Sequence, residues 1–107
     1  MNEMQLLFDV IKQRQAEPQE GSYTCYLFDQ GVDKICKKVG EEAAETIIAA
    51  KNTNKEDLTG EICDLLYHVS VLAVQQGLDW PQLEAVLAER SRKIGNLKQF
   101  RQTDKNT

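Results

Sequence analysis

Two prolines, one histidine and one tryptophan in 107 residues are few, and each scarcity narrows what the chain can be. With so few prolines, and six glycines placed mostly at expected boundaries, long helical patterns run without interruption. No run of alternating β-branched residues marks a strand. An all-α fold is therefore predicted. No stretch approaches the ~18 apolar residues of a membrane span, and Met1 to Gln13 lacks the continuous apolar segment of a signal peptide. A cytoplasmic protein without a membrane partner is expected. The three cysteines, Cys25, Cys36 and Cys63, contain no Cys-x-x-Cys pair and are odd in number, which removes a disulfide framework and a zinc knuckle. Cys36 and Cys63 read as small buried apolar residues. A single histidine argues against a carboxylate-bridged di-iron centre, which uses Glu-x-x-His on two helices. A net charge of −4 argues against a nucleic-acid partner, because that binding rests on an excess of Lys and Arg.

What the chain has in abundance is acid placed at helical spacing. From Lys37 to His68 run Lys37-Lys38-Val39-Gly40-Glu41-Glu42-Ala43-Ala44-Glu45 and then Glu61-Ile62-Cys63-Asp64-Leu65-Leu66-Tyr67-His68. On a helical wheel Lys34, Lys38, Glu41, Glu42, Glu45 and Asn52 share one stripe, and Val32, Ile35, Val39, Ala43, Ile47 and Ala50 the opposite one. Like charges so spaced repel by about 0.2–0.5 kcal/mol per pair. In the second segment Leu58, Ile62, Leu65, Leu66, Val69, Val71, Leu72 and Val74 surround the helix on nearly all sides, which predicts a central, buried element. Glu61, Asp64 and His68 occupy its one polar strip and need a compensating partner, a metal ion or a Lys/Arg.

In chain order, residues 3–16 read as an amphipathic helix carrying Leu6, Leu7, Val10 and Ile11. Ser22-Tyr23-Thr24 caps a short helix with Tyr26, Leu27 and Phe28, closed by Gly31. The acidic helix spans Val32 to Lys51. After the turn at Asn52-Thr53-Asn54, with Asn54 as cap, the buried helix continues to Gln76 and stops at Gly77. So short a turn makes the two helices antiparallel, bringing Glu42 and Glu45 across from Glu61 and Asp64. Asp79 caps a last helix with Pro81 in its first turn and Leu83, Val86, Leu87 and Ile94 facing inward, ended by Gly95-Asn96. Residues 1–95 are thus expected to form one domain, and 96–107 a basic tail that is partly mobile. The apolar surface exceeds what these helices can cover, so a homo-oligomer, most simply a homodimer, should complete the bundle.

Carboxylate pairs on facing helices suit Mg²⁺, a hard cation that binds few protein oxygens and shares its shell with substrate phosphates. Glu41, left outside the pairs, is available as a base, and Lys37, Lys38 and Lys51 can clamp polyphosphate oxygens. The competing reading is a solvated acidic face paired with lysines, since Lys38 and Glu42 are ordinary i, i+4 neighbours. His68 reads as a core or hydrogen-bonded histidine before a ligand. The basic residues Arg90, Arg92, Lys93, Lys98 and Arg101 suit a helix C-terminus whether or not they meet phosphate.

Glu41-Glu42-x-x-Glu45 followed by Glu61-x-x-Asp64 resembles the signature of the all-α nucleoside triphosphate pyrophosphatases, the MazG-like superfamily. Ser22-Tyr23-Thr24 with Leu27, Lys37 through Glu42, Ala49-Ala50-Lys51 and Glu61 through His68 are similar to one branch, the phosphoribosyl-ATP pyrophosphatases, over roughly residues 3–95. That resemblance implies Mg²⁺-dependent hydrolysis of phosphoribosyl-ATP to phosphoribosyl-AMP and pyrophosphate, the second step of histidine biosynthesis, by an oligomeric cytoplasmic enzyme. It implies Glu42, Glu45, Glu61 and Asp64 as metal ligands with Glu41 assisting catalysis, and Ser22, Tyr23, Thr24, Lys37, Lys38, Lys51 and His68 at the substrate. The length leaves no room for the cyclohydrolase to which this activity is often fused, so a monofunctional enzyme is expected. The alternatives are a house-cleaning pyrophosphatase acting on dUTP, dCTP or a modified nucleotide, and a non-catalytic helical dimerisation module.

Overall fold

The computed structural model describes residues 2–93, which form five α-helices and, among the described residues, no strand. Local side chains set most of the boundaries. In α1 (Glu3–Ala16) the Asn2 side chain accepts from the Met4 N–H. Ser22 Oγ accepts from the Cys25 N–H at the start of α2 (Tyr23–Gln30). Asn54 does the same for Asp57 at the start of α4 (Lys55–Gln75). Asp79 and Gln82 form a reciprocal capping box on α5 (Trp80–Ser91), with Pro81 in the first turn. Such caps are worth about 1 kcal/mol each because they satisfy helical N–H groups that have no partner within the helix. The exception is α3 (Val32–Lys51), which begins without a side-chain cap. Gly31 closes α2 and opens α3 at once, with φ +94° and ψ 179°, a region that only glycine occupies at low cost.

The helices α3 and α4 form the dominant interface, an antiparallel hairpin, with α1 packed on α4 and α2, and α5 reached through α1. The core gathers at one end of that hairpin: Phe8 and Ile11 of α1, Leu27 of α2, Ile35 of α3, and Val71, Ala73 and Val74 of α4. Trp80 leans on Phe8 with ring centroids 5.8 Å apart. Lys12 Nζ reaches Asp79 Oδ2 at 2.7 Å, tying α1 to the cap of α5.

Four expectations need correction. The buried line of α3 is Ile35, Glu42 and Ala49, a seven-residue repeat that straddles the two predicted stripes, so α3 is rotated toward its acidic side. Consequently Ile47 is 63% exposed and Ala50 is also outside. The helix α4 is not buried all round: Ile62, Leu66 and Val69 are exposed, because α1 and α3 cover only part of its circumference. Cys36 and Cys63 lie on the outer faces and are exposed, not buried. In α5, Leu83 packs against the core but Val86 and Leu87 face solvent. Ile94, the Gly95-Asn96 stop, Lys98, Arg101 and the tail 96–107 lie outside the described residues. Among the described residues no helix is long and apolar enough to cross a membrane.

Candidate active site

Two turns along the hairpin from Ile35, the inner seam of α3 changes from apolar to acidic. Glu42 occupies it at only 6% exposure, and Glu61 lies opposite on α4. One carboxylate oxygen from each of Glu42, Glu45 and Glu61 falls within 4.8 Å of the other two. Thr46, one turn beyond Glu42, holds this level of the seam together. Its Oγ lies 2.8 Å from the Glu42 carbonyl oxygen and 3.3 Å from that of Glu61, so one hydroxyl spans both helices. The wheel did not single out Thr46. Its heptad-like offset from Val39 and Glu42 was the available signal.

The electrostatics of this group are unfavourable as the chain alone arranges them. Burial raises the pKa of Glu42 above its ordinary value, and the Glu45 and Asp64 charges add to that, while His68 and Lys38 act the other way. Glu61 is also raised, by burial first and then by Glu45, with Glu42 and Asp64 contributing. Glu42 Oε2 and Glu61 Oε2 are buried and accept no hydrogen bond from the described residues. Buried, unpartnered carboxylate oxygens cost several kcal/mol, roughly, unless a cation compensates them. Among the described residues Lys38 is the one basic side chain within ion-pair distance of these carboxylates, 3.3 Å from Glu41 and 3.8 Å from Glu42. It makes no ion pair with Glu61 among the described residues. A hard, multivalent cation with oxygen preference fits the donor set.

The remaining candidates divide. Asp64 acts on both Glu42 and Glu61 through its charge but stands outside the tight three-residue group, and its side chain is exposed. Glu41 is exposed and paired to Lys38. Ser22 is occupied as the cap of α2. Tyr23 Oη meets His68 Nε2 at 3.0 Å, and Thr24 Oγ meets the Tyr67 hydroxyl, so two consecutive residues of α2 grip two consecutive residues of α4. His68 is 5% exposed, and its Nδ1–H donates to the Asp64 carbonyl at 2.7 Å, because a carbonyl can only accept. In the neutral ring Nε2 then accepts from Tyr23. Burial, foremost, raises the Tyr67 pKa, which keeps that hydroxyl protonated. Lys37 and Lys51 are exposed and form no ion pair with the cluster among the described residues. Lys51 sits six residues past Glu45, about 9 Å further along the α3 axis.

Residues 4–91 match the family described as phosphoribosyl-ATP pyrophosphohydrolase. A phosphoribosyl-ATP pyrophosphatase of Lactiplantibacillus plantarum is 52% identical over 98 residues, covering 92% of this chain and 92% of the relative. One of Clostridium botulinum is 51% identical over 102 residues, covering 95% and 93%. One of Streptococcus gordonii is 50% identical over 90 residues, covering 84% and 86%.

Proposed function

Because the chain belongs to the phosphoribosyl-ATP pyrophosphohydrolase family, we propose that the seam of Glu42, Glu45 and Glu61, with Asp64 beside it, is where that family's reaction takes place, with Mg²⁺. The protein hydrolyses phosphoribosyl-ATP to phosphoribosyl-AMP and pyrophosphate, a step of histidine biosynthesis. Water adds across a phosphoric anhydride: its oxygen joins phosphorus, the bridging oxygen leaves with pyrophosphate, and one proton must be taken up by a base.

The observation that carries the metal reading is the pair of buried oxygens on Glu42 and Glu61 that have no hydrogen-bond partner among the described residues, in a group of three carboxylates. Glu42, Glu45, Glu61 and Asp64 would hold the ion. A bound Mg²⁺ would offset negative charge on phosphate oxygens and orient water. The chain's own groups do the rest. Glu41, exposed at the rim, is our candidate to accept the proton. Burial works against the charge on Lys38, yet its hydrogen bond to Glu41 and the charges of Glu41 and Glu42 raise its pKa above the ordinary lysine value. Lys38 is thus a fixed positive point for a phosphate oxygen, with exposed Lys37 and Lys51 as more distant contacts. Ser22, Tyr23, Thr24 and His68 set the position of α2 beside the acids, through the cap and the two α2–α4 hydrogen bonds.

We also read the assembly as a homodimer in the cytoplasm, with residues 1–95 as one unit. The exposed Ile47, Ile48, Ile62, Leu66 and Val69 on α3 and α4 support an apolar subunit interface. Light scattering at micromolar concentration checks it, and a monomer there would remove that part.

The test of the reaction is pyrophosphate release, with Mg²⁺ and with chelator, from phosphoribosyl-ATP beside ATP, dUTP and dCTP. Release from phosphoribosyl-ATP alone, and only with Mg²⁺, is expected. Release from dUTP or dCTP would move the chain to the house-cleaning branch, and turnover in chelator would remove the metal.

A further inference from the structure

The short helix α2 carries more aromatic surface than its packing uses. Leu27 anchors it in the core with no exposed area, whereas Tyr23 and Tyr26, three residues apart and on one face, are each 45% exposed. Their rings stack at 6.1 Å and 23°, and Tyr23 stacks in turn on Tyr67 at 6.1 Å and 28°. His68 meets Tyr67 edge-on at 4.9 Å. The result is a ladder, Tyr26–Tyr23–Tyr67–His68, whose inner end hydrogen-bonds the carbonyl of Asp64, one turn from Glu61 on α4. Its outer end is open: among the described residues no group hydrogen-bonds the Tyr26 hydroxyl.

A nucleotide has the same layout, with polyphosphate at one end and a flat π-surface at the other. We propose that Tyr26, backed by Tyr23, is the stacking surface for the substrate's purine ring, an inference that rests on the reading of the carboxylate seam as the site of phosphoribosyl-ATP hydrolysis. The chemistry of that purine sharpens the fit. A ring nitrogen that carries a ribosyl group leaves the adenine positively charged until its exocyclic amine loses a proton. Phenol faces attract cations as well as flat rings. The ladder therefore favours the ribosylated purine over plain adenine, which a hydrophobic slot would not do.

The experiment is calorimetric titration of Mg²⁺-loaded protein with phosphoribosyl-AMP, AMP and pyrophosphate, on wild type, Tyr26→Leu and Tyr26→Phe. Tyr26→Leu should weaken phosphoribosyl-AMP about tenfold and AMP less, as loss of one base–aromatic stack does, and leave pyrophosphate unchanged. Tyr26→Phe, which keeps the π-face, should stay within about twofold of wild type. Unchanged phosphoribosyl-AMP binding in Tyr26→Leu would overturn the proposal. So would an equal loss for pyrophosphate, or a loss accompanied by a change in sedimentation, which would assign Tyr26 to a subunit contact. Hydrolysis of phosphoribosyl-ATP by the wild type is measured alongside. If that fails, the reading of the seam falls; if it succeeds while Tyr26→Leu binds normally, only the stacking surface falls.

Discussion

Around Ile35 and Val71 the α3–α4 hairpin is closed by side chains that water does not reach; two turns further along, around Glu42 and Glu61, the same two helices meet through carboxylates. The first half is supported from outside by α1 and α2, whereas among the described residues the second has only Ala49 as a buried apolar side chain. Stability and chemistry are thus separated along one pair of helices. The apolar half fixes the angle and register of the hairpin, and the acidic half can then hold like charges closer than an isolated helix pair would keep them. The acidic half weakens the fold, holds a cation on the reading proposed above, and depends on its neighbour for its geometry.

Substitutions that act on one half and leave the other alone break this division most directly. Ile11→Ala opens a cavity at the apolar end and should cost about 2–5 kcal/mol in chemical denaturation, with turnover per folded molecule unchanged. A parallel loss of turnover in the folded fraction would mean the halves are not separate. Glu61→Gln should lower Mg²⁺-dependent pyrophosphate release by at least about 100-fold, while its denaturation midpoint without metal stays at or above that of the wild type. Retained turnover would take Glu61 out of the ligand set.

A pH series sharpens the contrast. Glu42 and Glu61 have pKa values above the ordinary 4.5 in the folded chain. Their protonated forms are therefore favoured by folding. The associated stability is complete below 4.5 and is lost as pH rises through the raised values. Metal-free protein should melt at falling temperature as pH climbs from about 4.5 toward neutrality, Mg²⁺ should restore the difference at the upper end, and Glu42→Gln should flatten the slope. Equal melting with and without Mg²⁺ at neutral pH would count against the site. The smallest effect concerns the turn beyond the acidic half, where Thr53 has φ +58°. A β-branched residue there is strained, so Thr53→Asn should stabilise by up to about 1 kcal/mol in thermal melts, without altering turnover.

The contrast also explains which parts of the structure were legible in the sequence. Ser22, Asn54 and Asp79 are readable as caps because a side chain bonding its own backbone needs no tertiary information. The starts of α2, α4 and α5 follow from them, and the junction of α2 with α3 from Gly31. The acidic motif and the antiparallel turn were enough to bring Glu42, Glu45 and Glu61 together on paper, as the structure does. What the wheel misses is the rotation of α3. It puts Ile35 and Glu42 on opposite stripes, whereas both lie on the buried line of α3. The wheel turns Ile47 inward, and residue type alone turns Cys36 and Cys63 inward; the structure has all three exposed. Asp64, counted as an equal fourth carboxylate, lies outside the tight group, since its spacing from Glu61 along α4 does not fix how far a side chain turns across to α3. The Tyr23–Tyr26 stack and the Thr24–Tyr67 bond depend on where α2 lands on α4, which local pattern does not encode.

Gly31 carries a consequence for chain length. It is the whole connection between α2 and α3, serving as the end of one and the start of the other. An α-helix turns about 100° per residue. Adding or removing a single residue there would swing the tyrosine face of α2 by that angle relative to the carboxylates of α3, and side-chain adjustment could not recover it. This junction counts residues: substitutions elsewhere in α2 change the strength of its contacts, but an insertion at position 31 changes which helix face meets the site.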